Sequence, residues 1–216
     1  MPKWLKFIIG ILLLPFCLGT ARAVWIALTY AIGATQVWMP MLAGAASWVV
    51  IFLLLPKPMW IYVFGHELTH SVWTWLFGGS VKRFKAKSSG GHVITTKNNF
   101  LIALAPYFFP LYAIIVVVIY IIGDLIWNWS HYRPWFHLLL GAAYAFHITL
   151  TMEILKTRQT DITSQGWLFS AVIIFLGNAH ILAIAVPILT GHGISHALSS
   201  LLQSNGFVLQ RLAKLL

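Results

Sequence analysis

The chain alternates long apolar runs with short polar breaks, and most of the runs are long enough to cross a bilayer. The first three apolar segments are residues 4–19, 23–39 and 41–55, and the third ends at the turn signal Pro56-Lys57-Pro58. Segment four, residues 58–77, leads into the longest polar stretch, residues 78–99. Segment five covers residues 100–122, and segment six, residues 135–155, follows a polar loop. Segment seven covers residues 162–189. In the tail, Leu198, Leu201, Leu202, Leu209, Leu212 and Leu216 stand among polar residues, the pattern of one or two amphipathic helices lying at a membrane interface. The runs are too long and continuous for barrel strands, and in lipid the remaining way to satisfy the backbone is helical. The expected fold is therefore an all-α polytopic membrane protein with about six to seven transmembrane helices. Its expected parts are N-terminal transmembrane segments (1–57), a membrane core (58–189) and an interfacial tail (190–216).

Composition agrees: 60% of the 216 residues are hydrophobic and 8% are charged, against about 25% charged in soluble domains. The formal net charge of +10 does not point to nucleic acid, because the cations sit in short loops between apolar segments. That distribution reads as topology signals and contacts with anionic headgroups, with the lipid bilayer as partner. Lys82, Arg83, Lys85, Lys87 and Lys97 crowd residues 78–99 without an acid, and Lys156 and Arg158 come two crossings later. Lys3 and Lys6 join them if all three early segments cross. This stretch is then expected on the cytoplasmic side of a cell membrane, plasma or inner. Lys3 and Lys6 before residues 7–18, with Thr20-Ala21-Arg22-Ala23 after, also fit a cleaved signal peptide. The apolar segment that follows at once favours a retained helix.

Segment four carries the chemistry: His66-Glu67-Leu68-Thr69-His70 is an H-E-x-x-H motif. On a helix, residues four apart share a face, so His66 and His70 can hold one metal ion, with Glu67 beside them as a candidate general base. An ionisable group at membrane depth is expensive and marks a functional site by default. A third ligand is needed. Asp161 is the first candidate, set among Thr160, Thr163, Ser164 and Gln165, which could orient a carboxylate; it could equally cap a helix N-terminus. Glu153 is the alternative, though three residues before Lys156 it also reads as an ion pair. His147 and Asn178 are candidates for binding substrate, against the plainer roles of a core histidine and an interhelical hydrogen bond. Gly90 and Gly91 lie in a stretch, residues 84–96, that reads either as a hairpin offering a strand edge to a peptide or as a basic loop on headgroups. His192 and His196 form a second pair, but Gly193 between them and the lack of a nearby carboxylate favour histidines facing the interface.

The H-E-x-x-H in an apolar segment, the glycines Gly78-Gly79 and Gly90-Gly91, Leu104-Ala105-Pro106 and the later Asp161 together resemble the site-2 protease family of intramembrane zinc metalloproteases. The resemblance covers residues 59–187. It implies Zn2+ held by His66, His70 and Asp161, Glu67 activating water, and hydrolysis of peptide bonds in or near transmembrane segments of protein substrates. The family's aspartate commonly stands in Asn-Pro-Asp-Gly or Leu-Asp-Gly; here the context is Gln159-Thr160-Asp161-Ile162. A PDZ or CBS domain, which many members carry, is not expected beside the core, so the resemblance is to a minimal or divergent member. Two other classes use the same residues. A metal or proton transporter would run a polar pathway through His66, Glu67, His70, His147 and Asp161. A catalytically silent scaffold would tolerate loss of Glu67.

Overall fold

The computed structural model describes residues 1–215. The order of elements is α1 (Lys3–Ala31), α2 (Thr35–Leu54), α3 (Met59–Leu76), β1 (Val81–Lys87), β2 (Gly90–Thr95), α4 (Phe100–Leu104), α5 (Leu111–Trp127), α6 (Arg133–Ile154), α7 (Thr160–Gln165), α8 (Trp167–Leu189) and α9 (Gly193–Ala213). The fold is thus mainly helical, with one small antiparallel sheet. Among the described residues four helices, or five if one broken pair counts as a single span, are long and apolar enough to cross a membrane. That is fewer than the six to seven expected. The chain forms two compact units, Gln36–Gln159 and Met1–Thr35 with Thr160–Leu216.

In the first of these, α2 and α6 cross closely. A Cβ on Gly44 would lie 1.9 Å from the Leu138 carbonyl oxygen, and one on Gly141 would lie 1.9 Å from that of Met41. Small residues at such a crossing let two apolar helices gain dispersion contact where no hydrophobic effect drives them together. Trp48 on α2 donates its indole N–H to Thr149 on α6 at 2.8 Å. Tyr62, Val63 and Leu150 are buried together, with Trp48, Phe52, Phe146 and Ile154 against them, which fixes α3 on this pair.

α3 stops where glycine allows it. Gly78 takes a positive φ of 69°, and Gly79 donates its N–H back to Thr74. Lys97 adds its ammonium to the Phe77 carbonyl at 2.8 Å. The polar stretch then forms the hairpin, which turns at Ser88-Ser89 rather than at the glycines, since Lys87 pairs with Gly90. Phe84 of β1 meets Phe64 of α3 edge-on, and Ala86 packs by Tyr62 and Val63. Expected as one segment, residues 100–122 instead belong to two helices bent by 81°. Pro106 and Pro110 lack the N–H groups that a continuous helix would use.

The other unit departs from expectation at its start. Residues 4–19 and 23–31 are one helix, and residues 37–39 belong with the next, so two helices rather than three precede the motif helix. Arg22 looks like a break in sequence, yet α1 carries it through. Its guanidinium lies 4.5 Å from the centre of the Phe207 ring and donates to Ser204 on α9 at 3.1 Å. The break falls at Gly33. The parity that set Lys3 and Lys6 beside residues 78–99 goes with the third segment. Residues 162–189 are likewise split, at Gly166, whose φ is +97°. α9 is a single helix packed antiparallel on α1, with Tyr30 edge-on to His192 and His196 and Ala23 against Leu201.

Gly141→Ala and Gly44→Ala should each lower the thermal midpoint of the purified protein in detergent by several degrees, since overpacking a close crossing costs about 1–3 kcal/mol. Gly206→Ala on α9, with open space at its Cβ, should leave the midpoint unchanged or raise it.

Candidate metal centre

The motif is helical, as its spacing requires. The His66 and His70 rings lie on one face of α3 with centroids 4.9 Å apart, at 78° to each other. His66 stands between Tyr62, one turn earlier, and Tyr107, whose ring meets it edge-on at 5.3 Å. His70 is buried, and its Nδ1 donates to the Ile102 carbonyl at 2.8 Å. That bond fixes the ring's direction, as the support of a metal-binding histidine does.

The acceptor is available for a sequence reason. Ile102 lies in α4, where its carbonyl would normally take the N–H of residue 106; residue 106 is proline and has none. Asn99 caps the same helix by accepting from the Ile102 N–H at 2.9 Å, which holds this carbonyl in place. Sequence reasoning missed Ile102, but a proline four residues after a helical position is a readable sign of a carbonyl left for another donor.

Glu67 is 6% exposed, beneath the hairpin. A Cβ on Gly91 would come within 2.7 Å of its Cγ and 2.8 Å of its Oε1, so β2 can approach this carboxylate only as bare backbone. Gly90 instead has open space at the hairpin turn, with φ +134°. Gly65 plays a similar part on the other side, where a Cβ would strike the Tyr112 ring at 2.6 Å. Tyr112 donates its hydroxyl to the Ile61 carbonyl. Thr69 and Ser71 turn their hydroxyls onto the Gly65 and Glu67 carbonyls of their own helix, which satisfies them without reaching for the histidines.

The remaining candidates separate. Glu153 is engaged by Lys57 at 2.7 Å and Lys156 at 2.8 Å, so its carboxylate serves an ion-pair cluster at the end of α6. Asp161 is in the first turn of α7. It belongs to the unit made of Met1–Thr35 and Thr160–Leu216, whereas His66 and His70 belong to Gln36–Gln159. Two imidazoles on one face of a helix are donors of the kind that zinc, copper, iron and nickel take. The polar neighbours expected to orient Asp161 are used locally: Thr163 and Ser164 donate to the Thr160 and Asp161 carbonyls, and Gln165 accepts from Lys6. His147 is buried on α6. Asn178 lies on α8 and donates to the Ile174 carbonyl one turn back at 3.0 Å, a bond within its helix. His192 and His196 pack on Tyr30 and belong to no three-ligand group among the described residues.

No family model, curated protein or solved structure matches this chain.

His70→Ala should abolish high-affinity zinc binding measured by metal analysis of the detergent-purified protein, and Glu153→Ala should leave it intact. Pro106→Ala returns a competing N–H to the Ile102 carbonyl and should weaken zinc affinity about tenfold, the lower end of typical outer-shell losses.

Proposed function

We propose that this protein is an intramembrane zinc metalloprotease of site-2 protease type, cutting peptide bonds in or near the transmembrane segments of membrane-protein substrates. One observation carries the reading: two histidines share a face of a helix, and the glutamate between them in sequence is buried under a hairpin that approaches it as bare glycine backbone. A structural carboxylate would not need that approach kept clear. In this reading His66, His70 and Asp161 hold the ion and Glu67 is the base. When bound, zinc polarises the scissile carbonyl and brings the pKa of a bound water toward about 7. Glu67 takes the proton of the attacking water and later delivers it to the leaving amine. The low exposure of Glu67 keeps bulk water from competing for that proton.

The substrate helix must be opened before its backbone can be attacked. The hairpin supports this step, because a two-stranded ribbon has unpaired strand edges to which an extended peptide can add. Its outward Lys82, Arg83 and Lys85 suit anionic headgroups, which fits a site near the cytoplasmic face of a cell membrane. The apolar helices are consistent with a substrate reached from within the bilayer.

Glu67→Gln should keep one zinc per chain and lose cleavage of a fluorogenic transmembrane peptide in liposomes by about a hundredfold or more, the range of general-base loss. Cleavage at the wild-type rate by this variant would sink the reading. Metal flux into proteoliposomes with no cleavage by wild type would replace it with a transporter.

A further inference from the structure

We propose that His147 is a substrate-binding residue whose Nε2–H donates a hydrogen bond to the carbonyl oxygen of the peptide bond being cut. The inference rests on the metalloprotease reading and adds to it a donor from a different helix.

The placement follows from how α3 and α6 pack. The two run antiparallel, since Met59 and Tyr62 on α3 share a cluster with Ile154 and Leu150 on α6. The Tyr62 hydroxyl meets Thr151 Oγ1 at 3.5 Å. One turn further along α3 is His66, and one turn back along α6 is His147, so the two imidazoles stand at the same level on facing helices. Both line a small cavity, with Gly65, Thr69 and Tyr112 among its other walls. It offers about 20 Å³, room for roughly one water-sized group and too little for a side chain. An oxygen atom is the size of occupant it admits.

The polar atoms around it are nearly all used. Thr69 donates to Gly65, Tyr112 to Ile61, and Tyr62 to Thr151. His147 is 6% exposed, and its Nε2 is buried with no hydrogen-bond partner. Pro106, Phe109 and Phe146 make the rest of the wall apolar. A buried imidazole nitrogen with no partner is costly in either tautomer, and a cost retained in a fold asks for a use; with the proton on Nε2 it is a donor. A donor already fixed in a dry cavity stabilises charge that develops on a carbonyl oxygen as water adds, without having to reorganise. His147 keeps its proton throughout. Its part in this proposal is hydrogen bonding and not coordination.

The test uses full-length protein in detergent, loaded with cobalt(II) and titrated with acetohydroxamate, with binding read from the visible cobalt absorption. His147→Leu should hold cobalt as wild type does and bind acetohydroxamate about tenfold or more weakly, the loss expected for a hydrogen bond to a charged group. His147→Gln, which keeps an N–H donor, should recover most of that affinity. His147→Phe replaces His147→Leu if the latter does not fold. Unchanged acetohydroxamate affinity in the apolar variant would overturn the inference while leaving the metal centre standing. Loss of cobalt from the His147 variants would also overturn it, by making His147 a ligand. Failure of the wild type to take up cobalt would overturn the metalloprotease reading and this inference with it.

Discussion

A carboxylate and two imidazoles on one turn of a helix in a chain that is 60% hydrophobic are a thermodynamic burden, and the surroundings of α3 are organised by it. An ionised side chain withdrawn from water is costly by several kcal/mol even after relaxation. Sequence and structure meet that cost with fixed partners. His70 is given a carbonyl, the helix hydroxyls are turned onto their own backbone, and the hairpin closes over Glu67. A divalent cation would supply the largest compensation of all, because it converts the cluster from a liability into a coordination shell.

Close approach is the means by which this is done. At Gly65 an aromatic ring comes up against α3, and at Gly91 a strand does. At Gly44 and Gly141 the neighbouring pair α2 and α6 come together as backbone on backbone, which sets the surface that α3 lies on. Proline works by removal. Pro106 takes away an N–H, ends α4 and frees the Ile102 carbonyl for His70, so one residue both bends the chain and orients an imidazole. The site is thereby built on helices and backbone rather than on long loops, which suits a geometry that has to hold within a fraction of an ångström.

The motif helix, the hairpin and the apolar helices were legible in sequence because each has a strong local period: i, i+4 spacing, paired extended runs, or unbroken hydrophobicity. The pairing of Glu153 with Lys156 was legible for the same reason. Most of what failed depended on contacts distant in the chain. Arg22 reads as a boundary until Phe207 and Ser204, about 180 residues later, take up its guanidinium. The bend after α4 was hidden in an apolar run where hydropathy outweighed two prolines. The part of Lys57 in the Glu153 cluster, and the facing of His66 by His147, arise from helix packing that no local pattern encodes.

Zinc K-edge X-ray absorption of the purified, zinc-loaded protein reads the identity of the ligands and not only the presence of metal. A centre held by His66, His70 and Asp161 should give a four-coordinate nitrogen and oxygen shell at about 2.0–2.1 Å, with the outer-shell scattering of two imidazoles. That imidazole signal should be halved in His70→Ala protein forced to take up zinc. A shell of oxygen alone, or one containing sulfur, would contradict that centre.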